Sequence, residues 1–288
     1  MISKLSPYFK LKSAVTQFFI FLSCFALISF ADMYLFSTRS ERIHMFIVLA
    51  AIILTISGLV YIVHGILQRT ELNPLHIAIS GIIVFLIIHP TQSLILFVVA
   101  LTLAVSSKLI RFRGQPILNP AATGIALTFY LSALARKSVF MSWWGADMVQ
   151  NFTKGNVLVY YSLAVIFLGG FIYFAWKFNK SSYIASFVMT HLLFIFYTTL
   201  QTTGSSAETI AFIIASFFNS FAFLALVMIP EPKTSPSSPK QQVIVGIFGG
   251  IVLYMLLLDS VPFISSDLAF IHTVLATNVV TFVLKRWA

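Results

Sequence analysis

Residues 45–67 read MFIVLAAIILTISGLVYIVHGIL, with no Asp, Glu, Lys or Arg. At about 1.5 Å per residue, a helix over this run matches a hydrocarbon core roughly 30 Å thick. The rest of the chain repeats the message. Of 288 residues, 59% are apolar and 9% charged, against roughly 25% charged in soluble domains. Mean hydropathy is +0.97. Soluble globular and disordered classes are excluded, because no single core could hide so much apolar surface. Ten apolar stretches follow one another: 14–35, 45–67, 75–89, 93–110, 121–134, 157–176, 183–200, 209–229, 243–258 and 269–284. The expectation is an all-α polytopic membrane protein of about ten transmembrane helices. The third and fifth stretches are short and flanked by Pro and Gly, as in the broken helices of transporters.

Charge sets the expected orientation. With the N-terminus in the cytoplasm, the inner segments hold Lys4, Lys10, Lys12, Arg69, Lys108, Arg111, Arg113, Lys177, Lys180, Lys233, Lys240, Lys285 and Arg286. Only Arg39, Arg42, Arg136, Lys137 and Lys154 fall outside. The bias predicts both termini cytoplasmic in a bacterial-type plasma membrane. The net charge of +10 is therefore read as membrane orientation, not as a nucleic-acid footprint. Basic residues, an apolar stretch and Ser29-Phe30-Ala31 resemble a signal peptide, but the run continues through Leu35. It is read as an uncleaved first span. Cys24, the one cysteine, excludes a disulfide framework and any iron–sulfur cluster held by this chain's thiolates alone. The longest polar stretch, Glu231 to Gln242, is too short for a domain. The whole chain, 1–288, is thus a single transmembrane domain.

Ten spans divide into two sets of five, and an odd number per half inverts the second set. This gives two inverted five-helix repeats, 13–136 and 156–286. The third stretch ends in Ile87-Ile88-His89-Pro90-Thr91-Gln92-Ser93, and the eighth in Met228-Ile229-Pro230-Glu231-Pro232-Lys233-Thr234-Ser235. The fourth leads to Gly114-Gln115-Pro116-Ile117-Leu118-Asn119-Pro120, the ninth to Asp259-Ser260-Val261-Pro262. Each matched pair shares a proline break, although Pro-containing loops also resemble one another by chance.

The segment Arg111 to Gly124 holds two prolines and two glycines around the start of a short span. Asn119 is a suitable cap and Pro120 a suitable first-turn residue. Free amides at that helix start, with Arg111 and Arg113, would attract an anion; the plainer reading is a capped cytoplasmic loop. The segment resembles the Asn-Pro-Ala region of the RnfD/NqrB family, membrane components of the Rnf electron-transport complex and of the sodium-pumping NADH:quinone reductase. Glu231-Pro232-Lys233-Thr234-Ser235-Pro236 is similar to that family's acidic-Pro segment. The resemblance covers roughly residues 72 to 285. It implies a ten-helix inverted-repeat fold like that of urea transporters, and a flavin-linked complex that couples electron transfer to sodium or proton movement. On this reading Gly114, Pro116, Asn119, Pro120, Gly124, Glu231, Lys233, Thr234 and Ser235 line a transport pathway. Other membrane subunits and a flavin reductase would be the partners within the lipid bilayer.

The chain departs from the family at the flavin. Where the family carries Ser-Gly-Ala-Thr, whose Thr bears phosphoester-linked FMN, this chain has Met141-Ser142-Trp143-Trp144-Gly145-Ala146-Asp147. A carboxylate does not supply the hydroxyl, so covalent FMN is not expected. Thr202 to Ala207, after the seventh stretch, is read as a loop. The second-half Asn-Pro expected near Pro262 is absent. Trp143 and Trp144 read first as interfacial belt residues, and otherwise as a stacking surface for a non-covalent flavin, FMN or riboflavin. His76 and His89 share one face of the third stretch, but no second pair completes a two-haem arrangement; a single haem between His191 and His272 stays open, and haem is not favoured. Asp32 and Asp259 sit near outer ends, leaving no carboxylate relay. The function expected is a membrane subunit of a redox-driven translocase. The alternative is a stand-alone channel or carrier on the same fold without a redox role.

Overall fold

The computed structural model describes residues 12–67, 72–137, 143, 157–216, 220–258 and 268–287. The chain is an all-α membrane protein in which helices lie over the apolar stretches. They are α1 (Ala14–Phe36), α2 (Arg39–Tyr61), α3 (Pro74–Ile87), α4 (Leu94–Ser107), α5 (Pro120–Leu134), α6 (Val157–Lys177), α7 (Ser181–Thr203), α8 (Ser206–Ser216), α9 (Pro239–Leu257) and α10 (Ala269–Trp287). Single π-helical turns, Ile62–Ile66 and Leu224–Met228, follow α2 and α8. Among the described residues, four helices are long and apolar enough to cross a membrane: α1, α2 with its π turn, α7 and α9. A helix satisfies its own backbone groups, which hydrocarbon requires. Leu54 is 72% exposed, and Ile95, Val165 and Leu193 are similarly bare. Aliphatic side chains so exposed on several helices suit lipid and not water.

The residues form two compact units. One comprises Met1–Leu109 and Thr123–Tyr160, the other Ile110–Ala122 and Tyr161–Ala288.

In the first unit α1 packs on α3, α2 on α4, and α3 on α4. Val84, Leu86, Ile87, Phe97 and Ala100 are fully buried between them. Helix starts follow local chemistry. Thr38 and Glu41 form a capping box at α2: the Thr38 N–H donates to Glu41 Oε2 at 2.7 Å, and the Glu41 N–H donates to Thr38 Oγ1 at 3.4 Å. Asn73 caps α3 ahead of Pro74 by accepting from the Leu75 N–H. α3 stops at Ile87, before His89-Pro90, where the residue preceding proline is pushed out of helical backbone. At Gly124, an added Cβ would collide with the Ala100 carbonyl oxygen, so glycine lets α5 approach α4 closely. Asp32, expected near an outer end, is buried within α1, one turn before its end.

In the second unit α9 lies against α7 and α10, while α8 and the π turn Leu224–Met228 pack on α7. The α7–α9 approach is set by glycine. A Cβ on Gly246 would meet the Tyr183 carbonyl oxygen at 2.7 Å, and one on Gly250 the Phe187 carbonyl oxygen at 2.9 Å. Gly246 and Gly250 are four apart, the small-residue spacing that lets helix backbones meet in membranes. The corner from α7 to α8 is tight. Gly204 adopts φ +66° as the helix C-cap, and its N–H donates to Leu200 O at 2.9 Å. Thr202 and Thr203 are therefore the last turn of α7, and Ser206 and Ala207 the first of α8. The loop expected over these residues is replaced by helix ends joined at one left-handed glycine.

Candidate functional site

The second unit gathers its polar groups around the start of α5. The segment leading there is a β-hairpin and not a plain loop. Strand β1 (Arg111–Phe112) pairs antiparallel with β2 (Gln115–Pro116), in the register Arg111 to Pro116 and Phe112 to Gln115. Arg113 and Gly114 both have positive φ, 49° and 77°, as a two-residue primed turn requires. The hairpin is anchored by Phe112, whose ring meets Phe282 of α10 edge-on at 5.1 Å.

Asn119 follows and is 2% exposed. Its Oδ1 accepts from the Ala122 N–H at 3.0 Å, closing the first turn of α5, with Pro120 at the first helical position. Its own N–H donates to Asn278 Oδ1 at 2.6 Å. Its Nδ2 donates to the Met228 carbonyl at 3.3 Å. That last bond has a cause in sequence. In a continuing α-helix the Met228 carbonyl would accept from residue 232, but Pro232 has no N–H. Pro230 likewise ends the pattern, the last turn closes as a π turn with the Ile229 N–H on Leu224 O, and Asn119 supplies the missing donor.

Beyond the break the chain folds into a turn. The Thr234 and Ser235 N–H groups donate to Glu231 O at 3.3 and 3.0 Å, and Thr234 Oγ1 donates to Glu231 Oε2 at 2.8 Å. Buried Lys180 donates to Pro236 O at 2.6 Å, and Gln242 Nε2 donates to Asn179 O at 2.9 Å. Lys285 Nζ lies 3.4 Å from Lys233 O as a donor. Burial lowers the Lys180 ammonium to about 8, with neighbouring Lys285 contributing to the shift. Burial also lowers Lys233 and Lys285; Glu231 opposes both shifts, while Arg111 adds to that of Lys233.

The expected pathway residues are therefore partly assembled. Asn119, Pro120, Thr234 and Ser235 are buried. Glu231 and Lys233 are half-buried in the same turn, and Pro116 and Thr234 line one small cavity. Gly114 is exposed at the hairpin tip. Gly124 belongs to the first unit, where it is the contact of α5 with α4. The residues that sequence reading missed are on α10: Thr273, Thr277, Asn278 and Thr281, all buried. Their helical spacing within an apolar stretch was the available signal, because polar groups inside a span face the bundle interior.

Trp143 is 6% exposed, and its backbone N–H donates to Ile87 O at 3.1 Å. Trp144, Ser142, Gly145, Ala146 and Asp147 lie outside the described residues, as do Asp259 to Pro262. His76 and His89 do not share a helix: His76 is in the first turn of α3, whereas His89 lies past its end and pairs through Nδ1 with Thr91 Oγ1 at 2.7 Å. His191 is buried, with its ring stacked on Phe221 at 4.9 Å and on Phe187 at 6.5 Å. His272 Nδ1 faces Leu268 O of its own helix turn at 3.0 Å.

No family model and no curated protein matches the chain.

Proposed function

We propose that this chain is the membrane subunit of an Rnf/Nqr-like complex that couples electron transfer to sodium or proton translocation. The observation that carries the reading is the Asn119 contact. A capped helix start and a proline-broken helix end meet through Asn119 Nδ2 and the Met228 carbonyl. Broken helices whose ends converge on one buried polar point are how transporters place ion-coordinating backbone within a bilayer. The ten-span, inverted-repeat topology belongs to this proposal, with both termini in the cytoplasm of a bacterial-type plasma membrane. So do a flavin reductase and further membrane subunits as partners. The chain carries no nucleotide-binding motif, so electrons reach it from those partners.

The test is reconstitution. The chain is expressed with its co-purifying proteins in inverted vesicles, and sodium and proton uptake are followed while a reduced donor is oxidised. Redox-driven uptake that collapses in Asn119→Ala, with donor oxidation continuing, supports the proposal. Ion or solute flux through the purified chain alone, independent of any donor, identifies the stand-alone channel or carrier instead. Covalent FMN is tested separately. After co-expression with a flavin transferase, the denatured band is expected to show no flavin fluorescence. A fluorescent band lost in a Thr203→Ala, Ser205→Ala, Ser206→Ala variant overturns that expectation.

A further inference from the structure

Between the hairpin, the 231–236 turn and α10 lies a shallow open cleft of about 20 Å³, with room inside for little more than one water-sized group. Thr281 lines it from α10, Thr234 and Gln115 line it from the other sides, and Lys285 stands one helical turn beyond Thr281. Thr281 is 1% exposed, and its Oγ1 has no hydrogen-bond partner. Ser235 Oγ and Asn278 Nδ2, next to Thr234 and one turn from Thr281, are equally buried and equally without a partner. A buried hydroxyl without a partner on the wall of a cleft, as at Thr281, is expensive unless something bonds to it, since it forfeits its hydration.

The surrounding charge says what that something is. Lys285 has Lys180 and Glu231 as charged neighbours, and Lys233 has Arg111 and Glu231. Among these groups Glu231 is the acid, and its Oε2 already accepts from Thr234. Lys285 makes only a long 3.4 Å contact with a carbonyl. Among these groups cations outnumber the acid, and Lys285 lines the cleft together with the orphaned Thr281 hydroxyl. A metal ion would meet net repulsion there, whereas an anion would gain both the field and the donors.

We propose that this cleft binds a phosphate group, with one oxygen seated on the floor at Thr281 and the remainder at the mouth beside Lys285. A tetrahedral oxyanion reaches donors on separate walls, and lysine serves phosphate as a point charge. The group belongs either to the headgroup of an acidic lipid, as in basic pockets between membrane helices, or to a soluble phosphate. This inference does not depend on the redox reading of the chain.

The full chain in phosphatidylcholine nanodiscs is titrated with inorganic phosphate. In parallel it is moved to nanodiscs containing phosphatidylglycerol. Thermal unfolding reports binding, because a ligand that binds the native state raises the midpoint. Stabilisation by inorganic phosphate assigns a soluble source; stabilisation by phosphatidylglycerol alone assigns a headgroup. In either case Lys285→Gln and Thr281→Val are each expected to weaken binding about tenfold, while Lys240→Gln is expected to leave it unchanged. Thr281→Val keeps the shape of the side chain and remains informative if Lys285→Gln folds poorly. Absence of stabilisation by both probes, or wild-type stabilisation in both cleft variants, overturns the proposal.

Discussion

Asn119 ties the start of α5 to the proline-broken helix end in the second unit. It closes the first turn of α5 through Oδ1 and occupies the Met228 carbonyl through Nδ2. Truncation to Ala removes a cap worth about 1 kcal/mol and strands a buried carbonyl at a further cost of about 1–3 kcal/mol. Asn119→Ala should therefore lower unfolding stability by roughly 2 kcal/mol or more. Asn119→Asp keeps the capping oxygen but aims a carboxylate oxygen at the carbonyl. If the Met228 bond matters, Asp will not rescue; rescue by Asp in denaturant titrations would reduce the role of Asn119 to a cap. Lys180 offers a prediction in pH. Its ammonium titrates at about 8 in the fold, below its ordinary value of 10.5. The folded protein thus sheds this proton before the unfolded chain does. The charged form penalises folding below about pH 8, and stability should rise as pH increases from about 8 towards 10.5. Unfolding midpoints measured from neutral to alkaline pH should show this rise in the wild type and a flatter profile in Lys180→Met.

Between helices, glycine decides how near the axes come. Gly124 on α5, and Gly246 and Gly250 on α9, face backbone carbonyls at distances where a Cβ does not fit. Gly58 in α2, by contrast, has nothing within 4 Å of an added Cβ. The two kinds of glycine should respond oppositely to alanine. Gly124→Ala and Gly246→Ala force whole helices apart and should each cost about 1–3 kcal/mol, as overpacking does. Gly58→Ala removes backbone freedom from the unfolded chain and should stabilise by about 0.5–1 kcal/mol. Thermal melts of the single variants in detergent check both signs. Equal destabilisation at all three positions would mean that glycine acts through flexibility and not through close approach.

For the molecule as a whole, the testable quantity is topology. Thirteen of the 18 basic residues fall on one side when the ten stretches alternate. Reporter fusions after Lys180 and after Lys240 should both read cytoplasmic, and a fusion after Asp147 external. An external signal at Lys240 would show that residues 206–229, a short α8 followed by a π turn, do not cross as one span. The membrane character, the helix positions and several ends were legible in the sequence, because the signals that fix them act within one turn. Uncharged apolar runs must be helical in hydrocarbon, and Pro90 and Pro230 stop the runs before them. Asn119 was recognisable as a cap for the same reason. Its other partners were not recognisable. Asn278 lies 159 positions away and Met228 lies 109 away, so no local pattern records either pairing. The hairpin at Arg113-Gly114 depends on two consecutive left-handed residues, one of which is an arginine that seldom adopts that backbone. The assignment of Gly124 to helix contact, the burial of Trp143, and the meeting of Thr281, Thr234 and Lys285 at one cleft were likewise settled only in three dimensions. A segment's own residues determine what it must be in its solvent; which buried polar group meets which depends on packing between distant segments.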